Sequence, residues 1–247
     1  MKKIIFPLFL ISGFYSVGSA FTLVGSDPDL KGWNTETLKF EVNTASCAGY
    51  DIDGALEDAI EVWNSVSTSA LEVKKSGQTT STVVSDPPVV FCDSAFGTGL
   101  SAGADPDVVP GGGVPEFQNG RLSGGALILN INSGAGANID RYSRKQLAII
   151  LGHEIGHILG LGHSAQKKAL MYYDASAKKS LRLSQDDMDG ITYLYPRDEL
   201  AGQLPFGCGV VSNGSIGISG GFFLILVFLP VVFWQRLRNK TVIMRNT

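Results

Sequence analysis

The chain has 247 residues, 44% of them hydrophobic and 17% charged, with a formal net charge of −3. That apolar content suits one compact domain with a real core and is too high for a disordered chain. A nucleic-acid partner would call for a basic face, and the charge balance argues against one.

In chain order, Met1-Lys2-Lys3, the apolar run Ile4–Val17 and the small residues Gly18-Ser19-Ala20 have the three parts of a secretory signal peptide. Residues 1–20 are assigned to it, with cleavage after Ala20 leaving Phe21 first. An uncleaved anchor is the competing reading, but the run is short for a full span. Thr37–Asn43 alternates, with Leu38, Phe40 and Val42 on one face, and predicts a half-buried strand. Asp51–Val66 carries Ile52, Leu56, Ala59, Ile60 and Trp63 at helical spacing, with acids at its start, and predicts an amphipathic helix. Short strands follow at Leu71–Lys74 and Val89–Cys92. Residues 97–125 are crowded with Gly, Pro and Asp and read as loop. Ala126–Ile131 is an apolar run of strand length. Ser143–Leu159 predicts the next helix. Ser184–Leu194 predicts the last, opened by Ser184 and Asp187 at capping spacing and followed by Pro196. In an exported chain Cys47 and Cys92 are the candidate disulfide pair. The element order predicts an α+β domain over residues 21–200, a mixed twisted sheet packed on two helices with a further C-terminal helix.

Residues 201–215 read as a Gly-rich linker. Ile216–Trp234 then runs without a charge at about the length needed to cross a bilayer, and Arg236, Arg238, Lys240 and Arg245 mark 235–247 as a basic cytoplasmic tail. Phe206-Gly207-Cys208-Gly209 ahead of that helix and tail resembles the three-part C-terminal sorting signals of some bacterial surface proteins, in which the helix is removed and the Cys carries the anchor. Either way, the expected location is extracytoplasmic, with the domain held to the membrane or cell surface through its C-terminus.

The chemistry lies in His153-Glu154-Ile155-Gly156-His157-Ile158-Leu159-Gly160-Leu161-Gly162-His163. Residues four apart on a helix share a face, so His153 and His157 can aim two imidazoles at one point. Gly160 can take the positive-φ conformation that ends a helix and turns the chain back, which returns His163 as a third ligand. Zinc accepts imidazole nitrogens at about 2 Å, and three protein ligands leave a position open for water, as a catalytic site requires. Glu154 points to the side of that set and is assigned as the general base acting on the zinc-bound water. The apolar run Ile149-Ile150-Leu151 backs the site with core. The chain has three histidines, and all of them fall in these eleven residues.

This pattern with a later Met-turn is the metzincin signature. Ala169-Leu170-Met171-Tyr172 resembles the Met-turn, which in the family forms a floor beneath the metal. Ser164 after the third histidine, and the run Leu183-Ser184-Gln185-Asp186-Asp187-Met188-Asp189-Gly190-Ile191 with Leu194-Tyr195, resemble matrixins. The likeness covers about residues 33–196, is strong over 126–195, and puts the strand Ala126–Ile131 where the family has its substrate-side edge strand. It implies a zinc-dependent endopeptidase acting on protein or peptide substrates, with Glu154 catalytic and His153, His157 and His163 on Zn2+. It also implies that an N-terminal ammonium at Phe21 pairs with Asp186 or Asp187. Tyr173 departs from the matrixin Pro and stands where astacins and serralysins have a zinc-side phenol. No pro-segment with a zinc-binding Cys is visible, so latency by that device is not expected. Ca2+ is a second candidate cation, on Asp105 and Asp107. The competing function is a catalytically silent surface binding module on the same fold.

Overall fold

The computed structural model describes residues 21–197 apart from 26 and 28. The expected signal peptide (1–20), the linker with Cys208 (201–215), the apolar segment (216–234) and the basic tail (235–247) lie outside the described residues. Among the described residues no helix is long and apolar enough to cross a membrane.

Five strands and three helices carry the fold: β1 (Thr37–Val42), α1 (Ile52–Asn64), β2 (Glu72–Gln78), β3 (Val89–Asp93), β4 (Gly111–Gln118), β5 (Arg121–Asn130), α2 (Arg144–Ile158) and α3 (Gln185–Leu194). The sheet order is β2-β1-β3-β5-β4, parallel except for β4, which runs antiparallel to β5. This is the expected mixed sheet packed on helices. β3 and β5 are buried on both faces. Val90, Cys92, Leu127 and Leu129 join the main core with α1 and α2, whereas Val89, Phe91, Ala126 and Ile128 pack with Phe96 in a second cluster. A strand covered on both sides has no polar face, so these stretches read as unbroken apolar runs rather than as alternation.

Each helix has a start signal that works as its residues imply. Asp51 accepts from the Gly54 amide at 3.3 Å ahead of α1. Ser143 with Gln146, and Ser184 with Asp187, close capping boxes on α2 and α3. Trp63 of α1 is buried and donates Nε1–H to Gly152 O of α2 at 2.8 Å, so an apolar ring and its polar tip fix the two helices together. Cys47 and Cys92 form a disulfide with Cα atoms 5.0 Å apart, which ties the chain after β1 to the end of β3.

Two expectations need correction. Residues 97–125 are not largely loop, because β4 and the first residues of β5 lie within them. The edge strand is β4, and the run from Ala126 belongs to β5, which sits between β3 and β4. Gly111-Gly112-Gly113 and Pro115 carry no strand pattern of their own. They are extended because their backbone pairs with β5, and an edge strand tolerates Pro because one side of its ladder is unpaired. One local signal did mark the hairpin. Gln118 pairs with Arg121 across Asn119-Gly120, and both turn residues have positive φ, 54° and 70°. Asn-Gly is the dipeptide that a two-residue hairpin turn favours.

Candidate metal centre

α2 holds the first two histidines rigidly. Ile149, Ile150, Leu151, Ile155 and Ile158 of that helix are all at most 1% exposed, so beyond its first turn it is embedded in the core. At its end Gly160 has φ 107°, where an L side chain is strained, and the chain reverses there. His163 is thereby returned to the face that carries His153 and His157. The three ring centroids are 4.8, 4.9 and 5.3 Å apart. One ligand atom from each residue lies within 4.8 Å of the others, and among the described residues no other group of His, Cys, Asp or Glu forms such a cluster.

The protonation pattern follows from the backbone around the rings. His153 Nδ1 donates to Leu170 O at 2.8 Å and His157 Nδ1 donates to Leu161 O at 2.7 Å. A carbonyl can only accept, so both rings carry their proton on Nδ1 and present the lone pair of Nε2. Burial lowers the pKa of His157, and burial with the neighbouring His157 lowers that of His163, which favours the neutral form a metal binds. Three neutral imidazoles without a thiol or carboxylate among them suit zinc in a site with an open position.

Glu154 is 8% exposed and sits beside the free edge of β4, where its Oε2 accepts the Gly113 amide at 2.6 Å. The carboxylate is thus held by the backbone of the strand that the sequence reads as loop.

Beneath the histidines, the turn at Met171 is clamped from two sides. Leu170 O takes the His153 proton, and Ser164 N donates to Met171 O at 2.8 Å. From α3, the buried Asp187 carboxylate accepts the amides of Leu170 and Met171 at 2.7 and 3.0 Å, besides Ser184 N and Oγ. Asp187 therefore links the turn to α3 as well as capping that helix, a role its sequence position does not reveal. Tyr173 is 67% exposed, with its ring centroid 4.4 Å from that of Tyr172. Asp105 and Asp107 brace the long loop, accepting the Asp107 and Gly136 amides at 2.9 and 2.7 Å.

The first described residues pin the backbone around His163. Gly162 N donates to Thr22 O at 2.7 Å, Thr22 Oγ1 donates to His163 O at 2.7 Å, and Val24 N donates to Gly160 O at 3.0 Å. Phe21 packs on α3 with its ring 5.4 Å from that of Tyr193. Close by in sequence, Asp186 is 1% exposed, and its Oδ1 has no hydrogen-bond partner among the described residues.

The profile of the matrixin family matches residues 32–196. The sequence is also similar to interstitial collagenase of Bos taurus, 29% identical over 171 residues, which takes in 68% of this chain and 34% of the collagenase. Interstitial collagenase of Sus scrofa is 30% identical over 164 residues, 66% of this chain and 32% of that protein. Metalloendoproteinase 1-MMP of Arabidopsis thaliana is 28% identical over 217 residues, 81% of this chain and 56% of that protein. The chain spans about a third of the length of the two collagenases.

Proposed function

The chain belongs to the matrixin family, and from that premise we propose that it is a zinc-dependent endopeptidase acting on extracytoplasmic proteins or peptides. The convergence of His153, His157 and His163 around one point, with Glu154 beside them, carries this reading. The three imidazoles would hold zinc, which would supply a Lewis acid for the scissile carbonyl and the attacking water. Glu154 takes the proton of that water and returns it to the leaving amine. With Oε2 held by the Gly113 amide, the carboxylate keeps its second oxygen for the proton. The free edge of β4 runs past Glu154, and an extended peptide added there gains main-chain hydrogen bonds whatever its side chains. For this chain the substrate class is protein or peptide.

Export and tethering belong to the same proposal. The N-terminal residues have the make-up of a signal peptide, and Ile216–Trp234 with its basic flank that of a membrane anchor or sorting signal. Cells producing the full chain should degrade casein added outside. A chelator should abolish the activity and zinc restore it, and deletion of residues 214–247 should move it into the medium. Casein bound but not cut would mark a silent binding module instead, and activity confined to lysed cells would refute export.

Cleavage after Ala20 would also complete a charge pair. An ammonium at Phe21 would lie on α3, the helix whose buried Asp186 carries an oxygen without a partner among the described residues. A buried charge without a partner is costly, which gives the new terminus a reason to dock. Asp186→Asn should therefore lower the stability of the mature protein by about 1–3 kcal/mol and leave a form extended before Phe21 much less affected. Equal melting shifts in the two forms would reject the pairing.

A further inference from the structure

Two walls leave the histidine site together, joined by the bridge between Ser164 and Tyr172. Where they part, three residues past His163 and one past Met171, a pocket of about 730 Å³ opens between residues 166–168 and 172–185. Its lining carries Lys167, Lys168, Lys178, Lys179 and Arg182 against a single acid, Asp174. None of the five cations has an ion pair among the described residues, although the net charge of the chain is negative. Asp174 is turned to its own loop, where its Oδ1 accepts Ser176 Oγ and the Ala177 amide at 3.1 and 3.2 Å. Lys178 is drawn inward, donating to Lys167 O at 3.1 Å with its Nζ 5.5 Å from the Tyr172 ring centre. Gln166, also in the lining, has a buried Nε2 with no acceptor among the described residues.

The pocket thus presents an excess of positive charge, five cations against one carboxylate. A buried donor without a partner is normally answered by water or a ligand, and grouped cations attract an anion more than any one of them does alone. We propose that this pocket binds an acidic side chain of the peptide substrate, so that Asp or Glu a few residues from the cleaved bond is preferred. This rests on the endopeptidase reading. A peptide side chain fits better than a lipid surface because the cations line a concavity rather than a flat face, and because its walls follow His163 by three residues and Met171 by one.

Binding, which needs no turnover, is the test. Labelled peptides of about ten residues carrying one Glu, moved stepwise along the chain, are compared with their Gln twins on full-length protein bearing Glu154→Gln. At low salt one Glu position should bind about five- to tenfold more tightly than its twin. Lys178→Gln with Lys179→Gln and Arg182→Gln should bring that ratio close to one, whereas Lys74→Gln with Lys75→Gln on β2 should leave it unchanged. Raising the ionic strength to about 1 M, where screening acts over ~3 Å, should erase the ratio in the unsubstituted pocket, a check that does not depend on the variant folding. A ratio near one at every position would overturn the proposal. So would binding to phosphatidylserine vesicles, lost in the triple variant, with no Glu preference among peptides. If the Glu preference holds but the wild-type protein cuts neither peptide, the endopeptidase reading fails and the anion pocket stands.

Discussion

Replacing Glu154 by Gln should lower kcat by about 10²–10⁴-fold with little change in KM and zinc still bound. The substitution keeps the shape of the side chain and a carbonyl oxygen that can accept the Gly113 amide, the contact that holds Oε2 at 2.6 Å. It removes the carboxylate that takes the proton of water. Because Glu154 lies on α2 between His153 and His157 and is not one of the converging ligands, metal content should stay near that of the wild type. Turnover within a few-fold of wild type would show that the proton goes elsewhere. Lost zinc with lost turnover would show that the carboxylate supports the metal rather than the chemistry. Gly113→Ala is no clean probe of the same contact, since a Cβ there would lie 2.6 Å from the Glu154 carbonyl oxygen and 3.0 Å from His157 Cβ and would push the strand off α2.

His163→Ala should abolish turnover and weaken zinc binding by more than the roughly 10–100-fold typical of losing an outer partner of a metal ligand. His153 and His157 are held by a rigid core helix and by carbonyls at their Nδ1 atoms. His163 depends on the reversal at Gly160 and on the Thr22 contacts that pin its loop. Two of the three ligands therefore survive the substitution in place, and the fold has no reason to collapse without the third. Melting with and without zinc separates these effects. The wild type should gain about 2.7 kcal/mol at a hundred times the dissociation constant, and the variant should gain almost nothing at the same zinc concentration while melting as the metal-free wild type does. An unchanged zinc-dependent shift in the variant would remove His163 from the ligand set.

The periodicities of β1, α1, α2 and α3 are written in the sequence because each has one polar and one apolar side, or a capping pair at its start. The apolar runs of β3 and of β5 from Ala126 on were legible as strands from their length, though not which was central. β4 was illegible by pattern, since Gly and Pro carry no alternation. Only the Asn119-Gly120 turn announced it.

For the site, the order of residues alone determines the histidine triad. A helix places positions four apart on one face, and Gly160 permits the reversal that returns His163, so the convergence of three imidazoles beside Glu154 follows from spacing within eleven residues. What surrounds them is a matter of tertiary structure. The Gly113 amide on Glu154, the Leu170 carbonyl on His153 and the Asp187 carboxylate under the Met-turn join residues 41, 17 and 16 or 17 positions apart. All three of these contacts use backbone atoms on one side, which every residue possesses and no side-chain pattern can mark. Which amide meets the carboxylate was decided by the pairing of β4 with β5 and the packing of both on α2.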